Sequence, residues 1–224
     1  MSAPHSIRVW DLPVRLTHWS LVLCIAGLYA TGEYGWLTME WHFRFGYATL
    51  ALVLFRVLWG VIGSEHARFG DFVRGPGPIF RYLRSWRSAS YRPAVGHNPL
   101  GALAVLAMLS LILAQAVSGL FSNDEIEWFG PLSERISMEA SADWTDWHHL
   151  GQKLLLALIV LHLLVIAAYR LVKQEDLVKP MLTGRKQRDD AADANWRSPW
   201  LALVLFAACL GVIWAISVWG PGIS

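Results

Sequence analysis

Cysteine and charge are both scarce in this chain of 224 residues, and each scarcity excludes a class of protein. The two cysteines, Cys24 and Cys209, lie far apart within apolar runs, so neither a disulfide framework nor a thiolate metal site is predicted. Charged residues make up 16% of the chain, and the formal net charge is only +2, with the basic residues spread over loops. A nucleic-acid partner is therefore not expected. The N-terminal segment lacks the small-residue cleavage pattern of a secretory signal, so its first apolar run is predicted to remain as a helix.

Long apolar runs dominate the rest of the sequence. Hydrophobic residues make up 55% of the chain, and thirteen tryptophans fit a protein whose indole rings settle at lipid headgroups. Asp11 before the first run, and Asn98 followed by Pro99 before the third, are typical of helix starts. The sequence therefore predicts an all-α integral membrane helical bundle. Five runs reach the length that crosses a bilayer, at about 13–31, 41–62, 99–121, 147–171 and 198–220.

Loop charge predicts the orientation of the bundle. The loop 64–97 contains six arginines and 170–197 contains seven lysines or arginines, whereas 32–41 contains neither and 122–147 holds one arginine beside seven acids. Because basic loops stay in the cytoplasm, the N-terminus is predicted to be cytoplasmic and the C-terminus to lie outside. The loop 122–147 and the polar stretch 185–193 are predicted to be mobile. The six arginines are Arg68, Arg74, Arg81, Arg84, Arg87 and Arg92, and the seven acids are Asp124, Glu125, Glu127, Glu134, Glu139, Asp143 and Asp146.

Two histidines on the fourth predicted span, His148 and His162, are fourteen residues apart. At about 100° per residue, fourteen steps return a side chain to within roughly 40° of its starting direction, so both imidazoles share one helix face. At about 1.5 Å per residue they lie roughly 21 Å apart, near opposite faces of a hydrocarbon core about 30 Å thick. Because histidine is costly in lipid, the pair marks a candidate site.

Two further histidines match these depths. In the predicted orientation His42 opens the second span near the outer face, and His18 lies in the inner part of the first span. Depth therefore pairs His42 with His148 and His18 with His162. Each pair can supply both axial ligands of one haem iron, which leaves no site for oxygen and favours electron transfer. No Cys-x-x-Cys-His motif is present, so covalent haem attachment is excluded.

Two alternatives stay open at this point. A membrane histidine can be a hydrogen-bonding residue of the bundle rather than a ligand. His149 also adjoins His148 and competes for the outer role. His149, however, lies thirteen residues before His162, which rotates it by roughly 140° away from the helix face that His148 and His162 share. We therefore take His148 as the predicted ligand.

Several short motifs resemble those of bacterial cytochrome b561 proteins and of the related cytochrome b subunits of nickel–iron hydrogenases. The resemblance covers roughly residues 7–182 and implies a bacterial inner-membrane protein whose four-helix core binds two haem b groups through His18, His42, His148 and His162. Residues 1–182 would form this cytochrome b domain, 183–197 a cytoplasmic linker, and 198–220 a fifth transmembrane helix. The motifs are 10–19 (WDLPVRLTHW), His42 with Gly46, 55–60 (FRVLWG), 96–100 (GHNPL), and 147–151 (WHHLG) leading to His162.

Three arginines are candidate contacts of the haem propionates. Arg56 lies fourteen residues after His42, hence on the same helix face and level with the inner haem, where a charge needs a partner. Snorkelling of Arg56 to the cytoplasmic interface is the alternative. Arg15 and Arg44 are placed to reach the inner and outer propionates.

The function predicted from these features is electron transfer between the quinone pool, ubiquinone or menaquinone, and a periplasmic redox protein such as a c-type cytochrome. The acidic loop 122–147 would attract a basic partner. The segments 121–124 and 179–184 resemble cytochromes that partner small c-type cytochromes more than they resemble hydrogenase subunits. Two alternatives are a superoxide:quinone oxidoreductase and the membrane anchor of a hydrogenase-like complex, so the sequence leaves open whether the protein is itself an enzyme.

Overall fold

Five long helices contain the apolar runs of the chain. The computed structural model describes residues 5–86, 88, 91–188 and 193–219, so Arg87, Gly220 and part of the predicted mobile stretch 185–193 lie outside the described residues. The five helices are long and apolar enough to cross a membrane, and the predicted all-α membrane helical bundle is confirmed. They are α1 (Leu12–Gly32), α2 (Met39–Ile62), α5 (Pro99–Phe121), α6 (Met138–Val172) and α8 (Pro199–Trp219), and the shorter helices are α3 (Phe69–Phe72), α4 (Pro76–Ser85) and α7 (Val178–Thr183).

Local signals at helix starts explain most of the span boundaries. The Asn98 side chain accepts a hydrogen bond from the Gly101 amide at 2.8 Å, which confirms the predicted N-cap of α5. The prediction for the fourth span was wrong at its start, because α6 begins at Met138 rather than near Trp147. The residues 138–147 are too polar to register as an apolar run, but Ser137 caps them by accepting a hydrogen bond from the Ala140 amide. His148 therefore lies inside α6 and not at its first turn.

The structure contains a small antiparallel sheet that the sequence patterns did not predict. Strand β1 (His5–Arg8) pairs with β2 (Arg185–Arg188), and His5 lies opposite Arg188 in the register. Both strands are short and β2 is entirely polar, so neither shows the hydrophobic alternation by which a strand is recognised. The pairing fixes part of the predicted 183–197 linker against the N-terminus.

The chain forms two compact units. The first comprises Met1–Leu16, Val57–Ala107 and Val160–Ala202, and the second comprises Thr17–Arg56, Met108–Ile159 and Leu203–Ser224. Apolar side chains of α2, α5 and α8 pack together in the core of the second unit. Its buried members are Leu50, Ala51, Leu120 and Ile213.

A series of partly buried polar contacts organises the first unit. The Tyr82 hydroxyl of α4 lies 2.7 Å from the Tyr169 hydroxyl of α6, and the Tyr91 hydroxyl donates to Glu175 at 2.8 Å. The other oxygen of Glu175 pairs with Lys186 of β2 at 2.7 Å, with both side chains largely buried. Burial raises the pKa of Tyr82 and of Tyr91, so both phenols stay neutral. The network holds α4 in one rotational setting, because Tyr82 is its inward-facing residue.

Asp11 caps α1 and bonds a buried tryptophan. One carboxylate oxygen accepts the Val14 amide at 2.8 Å, and the other accepts the Trp59 indole N–H at 2.8 Å. We expect Asp11→Ala to cost about 2 kcal/mol, because a helix cap and a buried hydrogen bond are both lost. The measurement is chemical and thermal unfolding in detergent. Asp11→Asn keeps the acceptor for the Val14 amide and should lose less stability; an alanine variant as stable as the wild type would contradict this role.

Candidate haem site

A cavity of about 240 Å³ lies within the second unit. Residues of α1, α2, α5 and α6 form its wall, which is mainly apolar. His42 and His148, the two predicted outer ligands, both line it. A largely apolar cavity with a few converging polar groups is the usual form of a cofactor site.

The rings of His42 and His148 approach each other across this cavity. Their centroids are 6.3 Å apart and their planes are inclined at 72°. Two metal–nitrogen bonds of about 2 Å each, together with the distance from each nitrogen to its own ring centre, add up to roughly 6 Å. The separation of the rings therefore matches that of two imidazoles bound to opposite sides of one metal atom.

A hydroxyl on α1 orients the His42 ring. Thr31 Oγ1 donates to the Gly27 carbonyl at 2.8 Å and lies 3.1 Å from His42 Nδ1. Because the hydroxyl hydrogen is directed to the carbonyl, the oxygen accepts the hydrogen of His42 Nδ1. The Nε2 lone pair of His42 is then the one available to a metal.

The His148 ring is oriented in the same way by α5. His148 Nδ1 lies 3.0 Å from Ser118 Oγ and 3.1 Å from the Gln115 carbonyl, to which the Ser118 hydroxyl also donates. The carbonyl can only accept, so Nδ1 carries the hydrogen and Nε2 is again left for a metal. Both rings are thus held in the tautomer that an axial ligand requires.

Glycines let both rings lie directly against a neighbouring helix. A Cβ built on Gly32 of α1 would be 2.8 Å from His42 Cε1, and one on Gly119 of α5 would be 3.0 Å from His148 Cε1. Both distances are too short for a relaxed contact. The small residues therefore set the positions of the two imidazoles.

Gly46 leaves space open on the cavity side of α2. It lies one turn after His42 and lines the cavity, and a Cβ built on it would meet no heavy atom of the described residues within 4 Å. The residues present therefore fit a flat ligand bound between the two histidines. They provide paired nitrogens at metal-binding separation, an apolar wall and free space beside one ligand.

His149 occupies a different position from His148. It is exposed, whereas His148 is half-buried, and it lies at the cavity wall without the hydroxyl and carbonyl contacts that hold its neighbour. The structure brings His148 to His42. His148 is also the neighbour that the helical rotation favoured, and its role as a ligand stays a prediction.

The predicted inner ligands lie on different units. His18 is a half-buried residue of α1 in the second unit, with its ring 5.1 Å from Trp19. His162 is a half-buried residue of α6 in the first unit, and a single uninterrupted helix contains it and His148. The pairing of His18 with His162 stays a prediction.

The three candidate arginines have different surroundings. Arg56 is buried within α2, with 6% of its surface exposed. Arg15 donates a hydrogen bond to the Leu182 carbonyl at the end of α7. Arg44 is exposed, pairs with Glu40 at 3.8 Å and stacks on Trp41 at 4.8 Å. Their roles as propionate contacts stay predictions.

Sequence reasoning overlooked the groups that orient the two rings. The sequence patterns did not predict that Ser118, Gln115 or Thr31 contacts a histidine. A hydroxyl within an apolar run was the only available signal, and it does not reveal which histidine lies opposite. Within the described ranges, no three His, Cys, Asp or Glu side chains converge as a metal site.

Comparison with known proteins identifies the family. A protein from Azotobacter chroococcum mcd 1 is described as a probable Ni/Fe-hydrogenase B-type cytochrome subunit. It is 26% identical over 84% of this chain and 92% of its own length. A protein with the same description from Cupriavidus necator is 25% identical over 81% of this chain and 87% of its own length. A protein described as a probable Ni/Fe-hydrogenase 1 B-type cytochrome subunit, from Escherichia coli K12, is 23% identical over 79% of this chain and 88% of its own length. No solved structure matches. Because the prokaryotic cytochrome b561 family model matches residues 9–184, the chain belongs to that family, which makes it a multi-pass bacterial membrane protein that carries haem b and transfers electrons.

Proposed function

We propose that this protein carries electrons across the inner membrane between the quinone pool and a periplasmic redox protein, by way of two b haems. His42 and His148 would hold one haem, and His18 and His162 the other. The observation that supports the proposal most directly is the approach of the His42 and His148 rings to 6.3 Å with both Nδ1 atoms hydrogen-bonded. Haem b supplies a centre that takes up and releases one electron at a time.

The residues of this chain fix the environment of that centre. Two imidazoles in the axial positions leave no place for an oxygen ligand, so the site is suited to electron transfer. Thr31, Ser118 and the Gln115 carbonyl keep both rings in the correct tautomer. The mainly apolar wall would contact the haem ring, and Arg56 would offset the charge of a propionate at the second haem.

The proposed orientation rests on loop charge. All seven acids of residues 122–147 are exposed, four in the connection before α6 and three on the first turns of α6, which suits a periplasmic surface that receives a basic partner such as a c-type cytochrome. Within this loop Asp124 has a structural role. Burial works to raise its pKa, but hydrogen bonds from the amides of Trp128, Glu127 and Ile126 outweigh burial and hold the pKa below its ordinary value.

Reconstitution tests the proposal directly. The purified protein is expected to contain two low-spin b haems per chain by the pyridine haemochrome assay. In proteoliposomes, quinol should reduce both haems, and a basic cytochrome c added outside should reoxidise them. A preparation with haem that neither ubiquinol nor menaquinol reduces would overturn the proposed quinone link.

A second candidate function comes from the relatives. They are described as hydrogenase B-type cytochrome subunits, so a hydrogenase is an alternative redox partner for this chain. In that case the haems should be reduced by hydrogen in native membranes and not after the protein is purified alone. Transfer to cytochrome c by the isolated protein, with no response to hydrogen in membranes, would favour the first function.

The acidic loop provides a test of the docking surface. We expect Glu125→Gln/Glu127→Gln to slow electron transfer to a basic cytochrome c severalfold at low ionic strength, because both side chains are exposed and attract the partner. The difference should vanish near ~1 M salt, where the screening length is about 3 Å. Arg135→Gln makes the same loop more negative and should speed electron transfer to the basic cytochrome c at low ionic strength. Equal rates for all three proteins at low salt would contradict docking at this loop.

The hydroxyls beside the two rings provide a further test. Loss of an outer partner of a metal-bound histidine typically costs 10–100-fold in metal affinity, so we expect Thr31→Val to weaken haem retention by about 10-fold. Ser118→Ala should weaken it less, because the Gln115 carbonyl still accepts the hydrogen of His148 Nδ1. The midpoint potential of that haem should also rise, since a less basic imidazole stabilises the oxidised iron less. Haem transfer to apomyoglobin and redox titration measure the two effects. Thr49→Val removes another hydroxyl of the cavity wall and should leave both unchanged.

A further inference from the structure

Helix α4 presents an apolar and basic face that no other described residue covers. None of its ten residues is buried. Phe80 is 71% exposed and Leu83 is 47% exposed, and residues three apart lie on one side of a helix. Arg81 and Arg84 are exposed next to them. Such a face is unusual on a helix that contacts only water.

The rotation of α4 is fixed by its opposite side. Tyr82 points inward and bonds the Tyr169 hydroxyl, and its ring centroid is 6.1 Å from that of Tyr91. Ile79 is also partly buried. Phe80 and Leu83 therefore face outward because of packing on the other side of the helix, and not because the helix is loosely attached.

The two arginines of α4 differ from nearby arginines in their charge partners. Nearby, Arg68 pairs with Asp71 at 3.1 Å and Arg74 donates to the Asp71 carbonyl at 2.9 Å. Among the described residues, by contrast, neither Arg81 nor Arg84 takes part in an ion pair or hydrogen bond. Arg81 and Arg84, which have no such partner among the described residues, lie next to the exposed side chains of Phe80 and Leu83. This combination of cations and apolar side chains is complementary to a surface of phosphates above hydrocarbon.

The position of α4 in the chain indicates which surface this is. The helix lies in the connection between α2, which ends at Ile62, and α5, which begins at Pro99, and both are membrane spans. A helix tethered at both ends to transmembrane helices stays close to the bilayer surface. That surface attracts Lys and Arg when it contains anionic lipids.

We propose that α4 is an interfacial helix that binds anionic phospholipids. Phe80 and Leu83 enter the boundary between headgroups and acyl chains, and Arg81 and Arg84 contact lipid phosphates. This inference does not depend on the haem ligands or on the redox partner, because it uses only the first unit. It assigns a lipid-binding role to a loop whose arginines otherwise indicate orientation alone.

Depth measurement tests the apolar half of the proposal. The full-length protein, with Cys24→Ser and Cys209→Ala, is spin-labelled at Phe80→Cys or at Arg81→Cys and placed in phosphatidylglycerol nanodiscs. The Phe80 label is expected to be relaxed mainly by oxygen and the Arg81 label mainly by a water-soluble nickel chelate. Equal exposure of both labels to the nickel chelate would overturn the proposal. Protection of the Phe80 label that depends on protein concentration would also overturn it, since the occupant would then be a second copy.

Lipid-dependent stability tests the basic half. The thermal midpoint of the wild-type protein should rise when phosphatidylglycerol replaces phosphatidylcholine, and Arg81→Gln/Arg84→Gln should lose most of that gain. The matched control is Lys179→Gln/Arg185→Gln, which removes two exposed charges of the same unit from outside α4. An equal loss in both double variants would mean a general effect of charge, and would overturn recognition by α4.

Discussion

Replacing His148 with alanine is expected to reduce the haem content from two per chain to one. His148 and His42 face each other at a ring separation that fits one metal atom, so removal of either leaves a single axial nitrogen at this site. His42→Ala should therefore lose the same haem. Pyridine haemochrome quantitation and redox titration measure the outcome: in both variants one of the two midpoint potentials should disappear and the other should stay where it was.

His149→Ala is the matched control for this experiment. His149 is adjacent in sequence and is also an imidazole on α6, but it is exposed and lacks the contacts that hold His148 Nδ1. The variant should keep two haems with unchanged potentials. If His149→Ala loses a haem and His148→Ala keeps both, the assignment of the ligand is wrong. If His148→Ala and His42→Ala lose different haems, their pairing is wrong.

The membrane spans were predictable because they depend on the length of apolar runs. Helical periodicity likewise favoured His148 over His149 as a haem ligand, which stays a prediction. An apolar run of about twenty residues suffices to identify a spanning helix, and four of the five predicted starts lie within two residues of the observed ones. A helix advances by a fixed angle per residue, so the fourteen-residue interval distinguished His148 from His149 before any contact was known. These features need no knowledge of which helices are neighbours.

The features that could not be predicted depend on tertiary contacts or on polar helices. The first ten residues of α6 are helical without being apolar, so hydropathy placed the helix start too late. The contact between Thr31 and His42 joins two helices through a turn, and Ser118 reaches His148 across thirty residues. Neither contact can be predicted from the spacing of residues along one helix. Helix α4 was not predicted, because a ten-residue segment that begins Pro76-Gly77-Pro78 resembles a loop.

The cavity itself can be tested apart from its ligands by filling it. Gly46 lines the cavity one turn after His42, and the space beside its Cα is open among the described residues. We expect Gly46→Phe to place a ring where the haem would bind and to remove that haem as completely as His148→Ala does. The measured quantity is again haem per chain, with a fall from two to one and the loss of the same midpoint potential.

Loss of haem from Gly46→Phe must be separated from misfolding. Glycine inside a helix is less stable than alanine by about 0.5–1 kcal/mol, and a Cβ at this position meets no heavy atom of the described residues within 4 Å, so the substitution should not weaken the haem-free protein. The haem-free variant should unfold at the same temperature as the haem-free wild type or higher. Gly211→Phe on α8 is the control, because its Cβ also meets no described atom within 4 Å but Gly211 is exposed outside the cavity. Two haems with unchanged potentials in Gly46→Phe would show that this cavity does not hold the haem, whatever His148→Ala does.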